Sequence, residues 1–308
     1  MSLSLDRDNS NNVVNAIEFI LSLNKSGLVQ PENFKNETPQ KLFDLIAENC
    51  LELGHSVDAS LADLSKYPRS NLSSGIRNIE QIIFDCRSAK FRTEQAINNN
   101  VLPINLALDP TISIGSINGA LQAVKKVLPD NKFALLHLDC KLGLKNKIPC
   151  FAEEIFLTTL LQKDLQNLNY QTLLKALDFP VEQNILVESE IINLGLNKLS
   201  SVKPAFRYYS IDLIQEFGLN IALKEIEEII EAENIDRVYV FWDMSIIQNA
   251  GLNLREAFQV ANWIDLKLRR SGKLLGLDFI GLKEDQDFLQ IQKDLLLRIL
   301  GQTLFFNS

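Results

Sequence analysis

The stretch Arg237-Val-Tyr-Val-Phe-Trp-Asp243-Met-Ser245 sets a run of β-branched and aromatic residues directly before an aspartate. A second stretch, Phe133-Ala-Leu-Leu-His-Leu-Asp139-Cys-Lys141, has the same form. Strands that are apolar at consecutive positions are buried on both faces, as in a parallel sheet covered by helices. In such sheets ligands meet the carboxyl ends of the strands, so Asp139 and Asp243 are candidate site residues. Residues two apart on an extended chain point to the same side, which brings Lys141 and Ser245 into the same neighbourhood.

Working outward, further strands are expected at 102–108, 184–187, 204–208 and 274–282. Helices are expected between them, at 113–128, 153–168, 210–217, 220–233, 253–270 and 286–300. Strand and helix alternate, the signature of a three-layer α/β/α fold with a mainly parallel sheet. Before residue 101 the reading is helical. Apolar residues recur at helical spacing over 12–25 (Val13, Val14, Ile17, Phe19, Ile20, Leu23), Thr38-Pro39 opens a second helix with threonine as its cap, and a third covers 74–98. The expectation is therefore an N-terminal helical extension, 1–100, packed on an α/β core, 101–308, within a single domain overall.

The composition removes several classes of function. A net charge of −8, with no dense run of Lys and Arg, argues against nucleic acid. The start of the chain lacks the basic and apolar regions of a secretion signal, and no window approaches a membrane span. Cys50, Cys86, Cys140 and Cys150 show no Cys-x-x-Cys spacing, so reduced core thiols in the cytosol are expected. His55 and His137 are the only histidines, too few for most imidazole-based hydrolysis.

Five segments in order then resemble the arginase/agmatinase (ureohydrolase) family. Leu102-Pro-Ile-Asn-Leu-Ala107-Leu108-Asp109-Pro110-Thr111-Ile-Ser-Ile-Gly115-Ser-Ile-Asn-Gly119 is similar to its strand ending in Gly-Gly-Asp-His-Ser. His137-Leu-Asp139-Cys-Lys141-Leu-Gly143 resembles His-Phe-Asp-Ala-His-x-Asp, and Phe241-Trp-Asp243-Met-Ser245 resembles Phe-Asp-x-Asp. Gly251-Leu-Asn-Leu-Arg255-Glu256 is similar to Gly-Leu-Thr-Tyr-Arg-Glu, and Leu275-Gly276-Leu-Asp278 to the Gly-Leu-Asp strand after it. The likeness spans 102–300; the first hundred residues match poorly, and the family's first strand is not evident in them.

The resemblance implies an arginase-like fold and hydrolysis of guanidino groups by a manganese pair that bridges a hydroxide. By position the chain keeps the family's ligands at Asp139 and Asp243. It replaces the others with Pro110, Lys141, Gly143 and Ser245. Proline and glycine carry no side-chain donor, and protonated lysine has no lone pair. Two carboxylates fall short of what such a centre needs. The expectation is a degenerate manganese site with no catalytic residue, no metal and no cofactor.

Asp139, Lys141, Asp243, Ser245, Glu256 and Asp278 remain as a residual pocket. Two carboxylates about 4 Å apart repel by ~4 kcal/mol at an effective dielectric near 20. The Lys141 ammonium would relieve that by taking the place of the metal, or it snorkels at a strand end. Glu256 either receives a guanidinium, as the resemblance implies, or closes a capping box with Asn253, the favoured reading. Asp278 takes a supporting role, and Asp109 bonds nearby backbone amides. His137 is a core residue with one nitrogen satisfied, and Cys140 is turned away from the pocket by strand alternation. Phe305 and Phe306 pack on a neighbouring subunit or anchor the C-terminus.

The function expected is a ureohydrolase-like pseudoenzyme acting by binding or assembly: a homo-oligomer, trimer or hexamer by resemblance, open to a protein partner. The alternative is an active manganese hydrolase of guanidino compounds that recruits ligands such as Asp212, Glu153 or Glu154. A third reading is a different activity on the same scaffold.

Overall fold

The computed structural model describes residues 16–23, 37–61, 79–140, 157, 160–161, 186–197, 206–248 and 251–301. Its centre is a sheet of eight strands: β1 Ala16–Leu21, β2 Ser56–Leu61, β3 Leu102–Leu106, β4 Phe133–Leu138, β5 Ile191–Leu196, β6 Arg207–Ser210, β7 Arg237–Asp243 and β8 Leu274–Ile280. All are parallel, in the order β2-β1-β3-β8-β7-β4-β5-β6. The helices are α1 Thr38–Glu52, α2 Ile79–Asn98, α3 Ile112–Val127, α4 Ile211–Phe217, α5 Leu219–Ala232, α6 Ser245–Gln248, α7 Leu254–Trp263 and α8 Gln286–Ile299.

Every residue of β3, β4, β5 and β8 is buried, as the continuous apolar runs demand. Alternate side chains serve opposite faces. Leu136, Leu138, Val240 and Trp242 join the core beneath α1, α4, α5, α7 and α8. Leu135, Tyr239 and Phe241 join the core beneath α2 and α3. This is the expected three-layer α/β/α arrangement.

The first hundred residues correct the expectation of a helical extension. Ala16–Leu21 is a strand hydrogen-bonded between β2 and β3, so the boundary at residue 101 falls inside one sheet. A strand buried on both faces is apolar at irregular intervals, and over so short a window that pattern imitates a helix. Ser56–Leu61, carrying Ser56, Asp58 and Ser60, shows the weak pattern of an edge strand. Glu37 rather than Thr38 precedes the first residue of α1, because Thr38 and Pro39 are already helical and buried. The strand expected at 184–187 lies instead at Ile191–Leu196, where Asn193 and Gly195 break the apolar run; Gly195 has φ 103° beside a register shift. The helix expected at 153–168 lies mostly outside the described residues.

Two glycines set the layer over β3 and β8. A Cβ on Gly115 would overlap the carbonyl of Cys86, and one on Gly119 the carbonyl of Lys90. The backbones of α2 and α3 therefore meet directly, which only the smallest residue permits. No helix among the described residues is long and apolar enough to cross a membrane.

Candidate functional site

Leu138 of β4 stands opposite Trp242 of β7. The next residues, Asp139 just past the end of β4 and Asp243 as the last residue of β7, therefore stand at the carboxyl edge of the sheet, both partly buried. Sheet register alone produces this pairing, and it is the one the apolar runs implied.

Ser245 links them. Its backbone N–H donates to Asp243 Oδ1 at 2.7 Å, and its hydroxyl donates to Asp139 Oδ1 at 3.4 Å, a long contact. Cys140 Sγ lies 3.5 Å from the Ser245 hydroxyl and 3.8 Å from its carbonyl oxygen. Cys140 thus belongs to the cluster, against the expectation that it turns away. β4 ends at Leu138, so strand alternation no longer governs residue 140. Gly281, at φ 70°, closes the other side; a Cβ there would come 2.9 Å from Asp243 Oδ1.

Behind Asp139 lies His137, 1% exposed and stacked on Phe241 at 4.9 Å. Burial lowers its pKa to about 3, so the ring is neutral at ordinary pH. Asn193 Nδ2 donates to His137 Nδ1 at 2.8 Å and approaches the carbonyl oxygens of His137 and Asp139 at 3.2 and 3.4 Å. Those two carbonyls require the amide nitrogen on that side, which leaves Nδ1 as acceptor and places the ring proton on Nε2. Nε2 faces Asp139 Oδ2 at 3.8 Å. The contact orients the carboxylate without supplying it a counter-charge.

Asp278 sits deeper, fully buried. Its Oδ1 accepts from Tyr239 at 2.6 Å and Asn105 at 2.8 Å, and its Oδ2 accepts from Ser116 at 2.6 Å. Burial raises its pKa, and these hydrogen bonds oppose the rise. The network ties β3, β7, β8 and α3 together below the rim.

The other expected residues resolve individually. The capping box is present: Asn253 Oδ1 accepts from the Glu256 N–H at 3.0 Å, and Glu256 Oε2 accepts from the Asn253 N–H at 2.8 Å. Glu256 is engaged at the start of its own helix. Asp109 Oδ1 accepts from the Thr111 N–H and hydroxyl at 2.9 and 2.8 Å, the local backbone role expected. Pro110 is buried in that turn. Asp212 is exposed in the first turn of α4. Lys141, Gly143, Glu153, Glu154, Phe305 and Phe306 lie outside the described residues, and the expected Lys141 pairing with them. The residue missed altogether is Asn193, whose signal was a lone amide inside Ile191-Ile-Asn193-Leu194.

No protein-family model matches the sequence, and no curated protein does. Solved structures do match. The arginase of Bacillus caldovelox superposes with a TM-score of 0.76 at 13% identity, covering 94% of this chain and 100% of that one. The arginase of Entamoeba histolytica, solved with L-ornithine, gives 0.75 at 15% identity over 94% and 99%. The agmatine ureohydrolase of Thermoplasma volcanium gives 0.59 at 15% identity over 97% and 94%.

The fold is that of the arginases and agmatinases, across nearly the whole chain. This overturns the expectation of no cofactor: manganese is what the fold implies through the family's chemistry. The described donors do not reproduce a manganese pair. Pro110 has no side-chain donor atom, Ser245 hydrogen-bonds to both carboxylates, and no three His, Cys, Asp or Glu side chains among the described residues converge as ligands.

Proposed function

We propose that this chain is an arginase-fold protein that no longer performs guanidine hydrolysis and instead acts by binding or assembly. One observation carries the reading: Ser245 stands where the resemblance implies an aspartate ligand, and it joins Asp139 to Asp243 through its N–H and hydroxyl. Hydrolysis by the family's route needs an activated water held between two cations. Ser245 engages one oxygen of each carboxylate and brings no carboxylate of its own to the position where the resemblance implies one.

Homo-oligomerisation as a trimer or hexamer, partnership with an active relative and a cytosolic address belong to the same proposal. It is tested by incubating the purified chain with L-arginine or agmatine, with and without manganese, and measuring urea beside the mass in solution. The expected result is urea at the blank level from an oligomeric protein. Manganese-dependent urea release that disappears in Asp139→Asn overturns it.

A second reading, an active ureohydrolase with recruited ligands, draws support from coverage of entire arginase chains. It predicts the opposite outcome in the same assay.

A further inference from the structure

At the amino-terminal edge of the sheet, away from Asp139 and Asp243, lies a cleft of about 560 Å³. Three segments form it: the last turns of α3 with the 129–133 connection into β4, the turn at Ser189 and Glu190 before β5, and the turn after α5 at Ala232, Glu233 and Ile235. Its floor is apolar, since Leu121, Val124, Phe133 and Ile235 face it while almost fully covered. This volume lies within the range of small-molecule pockets, which combine apolar walls with a few placed polar groups.

Four charged side chains line it, and their engagements differ. Lys132 Nζ donates to the carbonyl oxygen of Glu233 at 2.8 Å. The Glu233 carboxylate is held by Arg207 through two hydrogen bonds. Those two are committed. Among the described residues Glu190 uses only Oε2, which accepts from the Val187 N–H at 2.8 Å. Burial raises its pKa, and Lys125 is the cation that acts back on it. Among the described residues no ion pair joins Lys125 to Glu190 or to any other acid. Among the described residues, the solvent-exposed Lys125 ammonium and Glu190 Oε1 therefore make no ion pair or hydrogen bond beside this apolar floor.

We propose that this cleft binds a small zwitterion of the α-amino-acid type, its carboxylate on Lys125, its ammonium on Glu190 and its apolar side chain on the floor formed by Val124, Phe133 and Ile235. A purely anionic ligand would set a second negative charge against the half-buried Glu190. A purely cationic one would set a second positive charge against Lys125. The site is independent of the strand-tip cluster, so it stands whether or not the chain hydrolyses guanidines.

The test is isothermal titration of the full chain with L-leucine and L-phenylalanine. Phenethylamine and 3-phenylpropanoate serve as matched probes lacking one charge each. At least one amino acid binds with a dissociation constant of about 1 mM or tighter. The single-charge probes and the variants Lys125→Met and Glu190→Gln each weaken that binding about tenfold, while thermal unfolding confirms that both variants fold. Failure of both amino acids to bind overturns the proposal, as does equal affinity for either single-charge probe or undiminished binding in either variant.

Discussion

Replacing His137 by glutamine removes a buried ring that the fold holds neutral. In the folded chain His137 takes up a proton only near pH 3, whereas in the unfolded chain it does so near ~6.5. Between those values the unfolded state binds the extra proton, so acid favours unfolding and stability falls as pH drops. For a single group the loss approaches about 1.4 kcal/mol per pH unit once pH is well below 6.5. From pH 8 to pH 5 it integrates to about 2 kcal/mol. Glutamine can still accept from Asn193 but does not titrate, so His137→Gln unfolds more easily at pH 8 yet loses about 2 kcal/mol less on acidification. Urea midpoints for both proteins at half-unit pH steps measure this. Carboxylates titrate mostly below that window and are common to both proteins. Parallel stability curves from pH 8 to 5 would refute the buried, neutral assignment.

Other expectations are similarly direct. Tyr239→Phe removes a donor 2.6 Å from a buried carboxyl and should cost about 1.5–3 kcal/mol in chemical denaturation. Because burial raises the Asp278 pKa from its ordinary value, its contribution is present at low pH and is lost as pH climbs through the raised pKa. Asp278→Asn should therefore flatten that segment of the stability curve; an unchanged slope counts against it. Gly119→Ala drives a methyl into the Lys90 carbonyl and should destabilise by about 1–3 kcal/mol, read from the thermal midpoint. Asn253→Ala removes the cap of α7 at a cost of about 1 kcal/mol, a loss that Asn253→Asp should largely spare.

β7 was readable to the residue and β4 nearly so, because a strand buried on both faces writes an unbroken apolar run. β1 is buried in the same way, but its six residues follow Val13 and Val14 closely enough to mimic a helical stripe. β5 was misplaced because Asn193 and Gly195 interrupt it, and both interruptions have causes in space: the amide serves His137, and the glycine makes room for Ile246. At the site, the adjacency of Asp139 and Asp243 followed from strand register. The tie through Ser245 and the approach of Cys140 depend on where each strand stops, which periodicity does not report. Glu256 illustrates the opposite case, since its spacing from Asn253 was enough to name its hydrogen bonds.

Strand order carries a consequence for how the molecule comes into being. β8 is the last described strand along the chain, yet it lies between β3 and β7. Until residues 274–280 emerge from the ribosome, β2-β1-β3 and β7-β4-β5-β6 are two separate half-sheets, each exposing an unsatisfied inner margin. Such margins invite pairing with other chains, and long-range parallel pairing is slow to form. A nascent or truncated chain lacking β8 should therefore clump rather than fold, with its central wedge the final piece to be inserted.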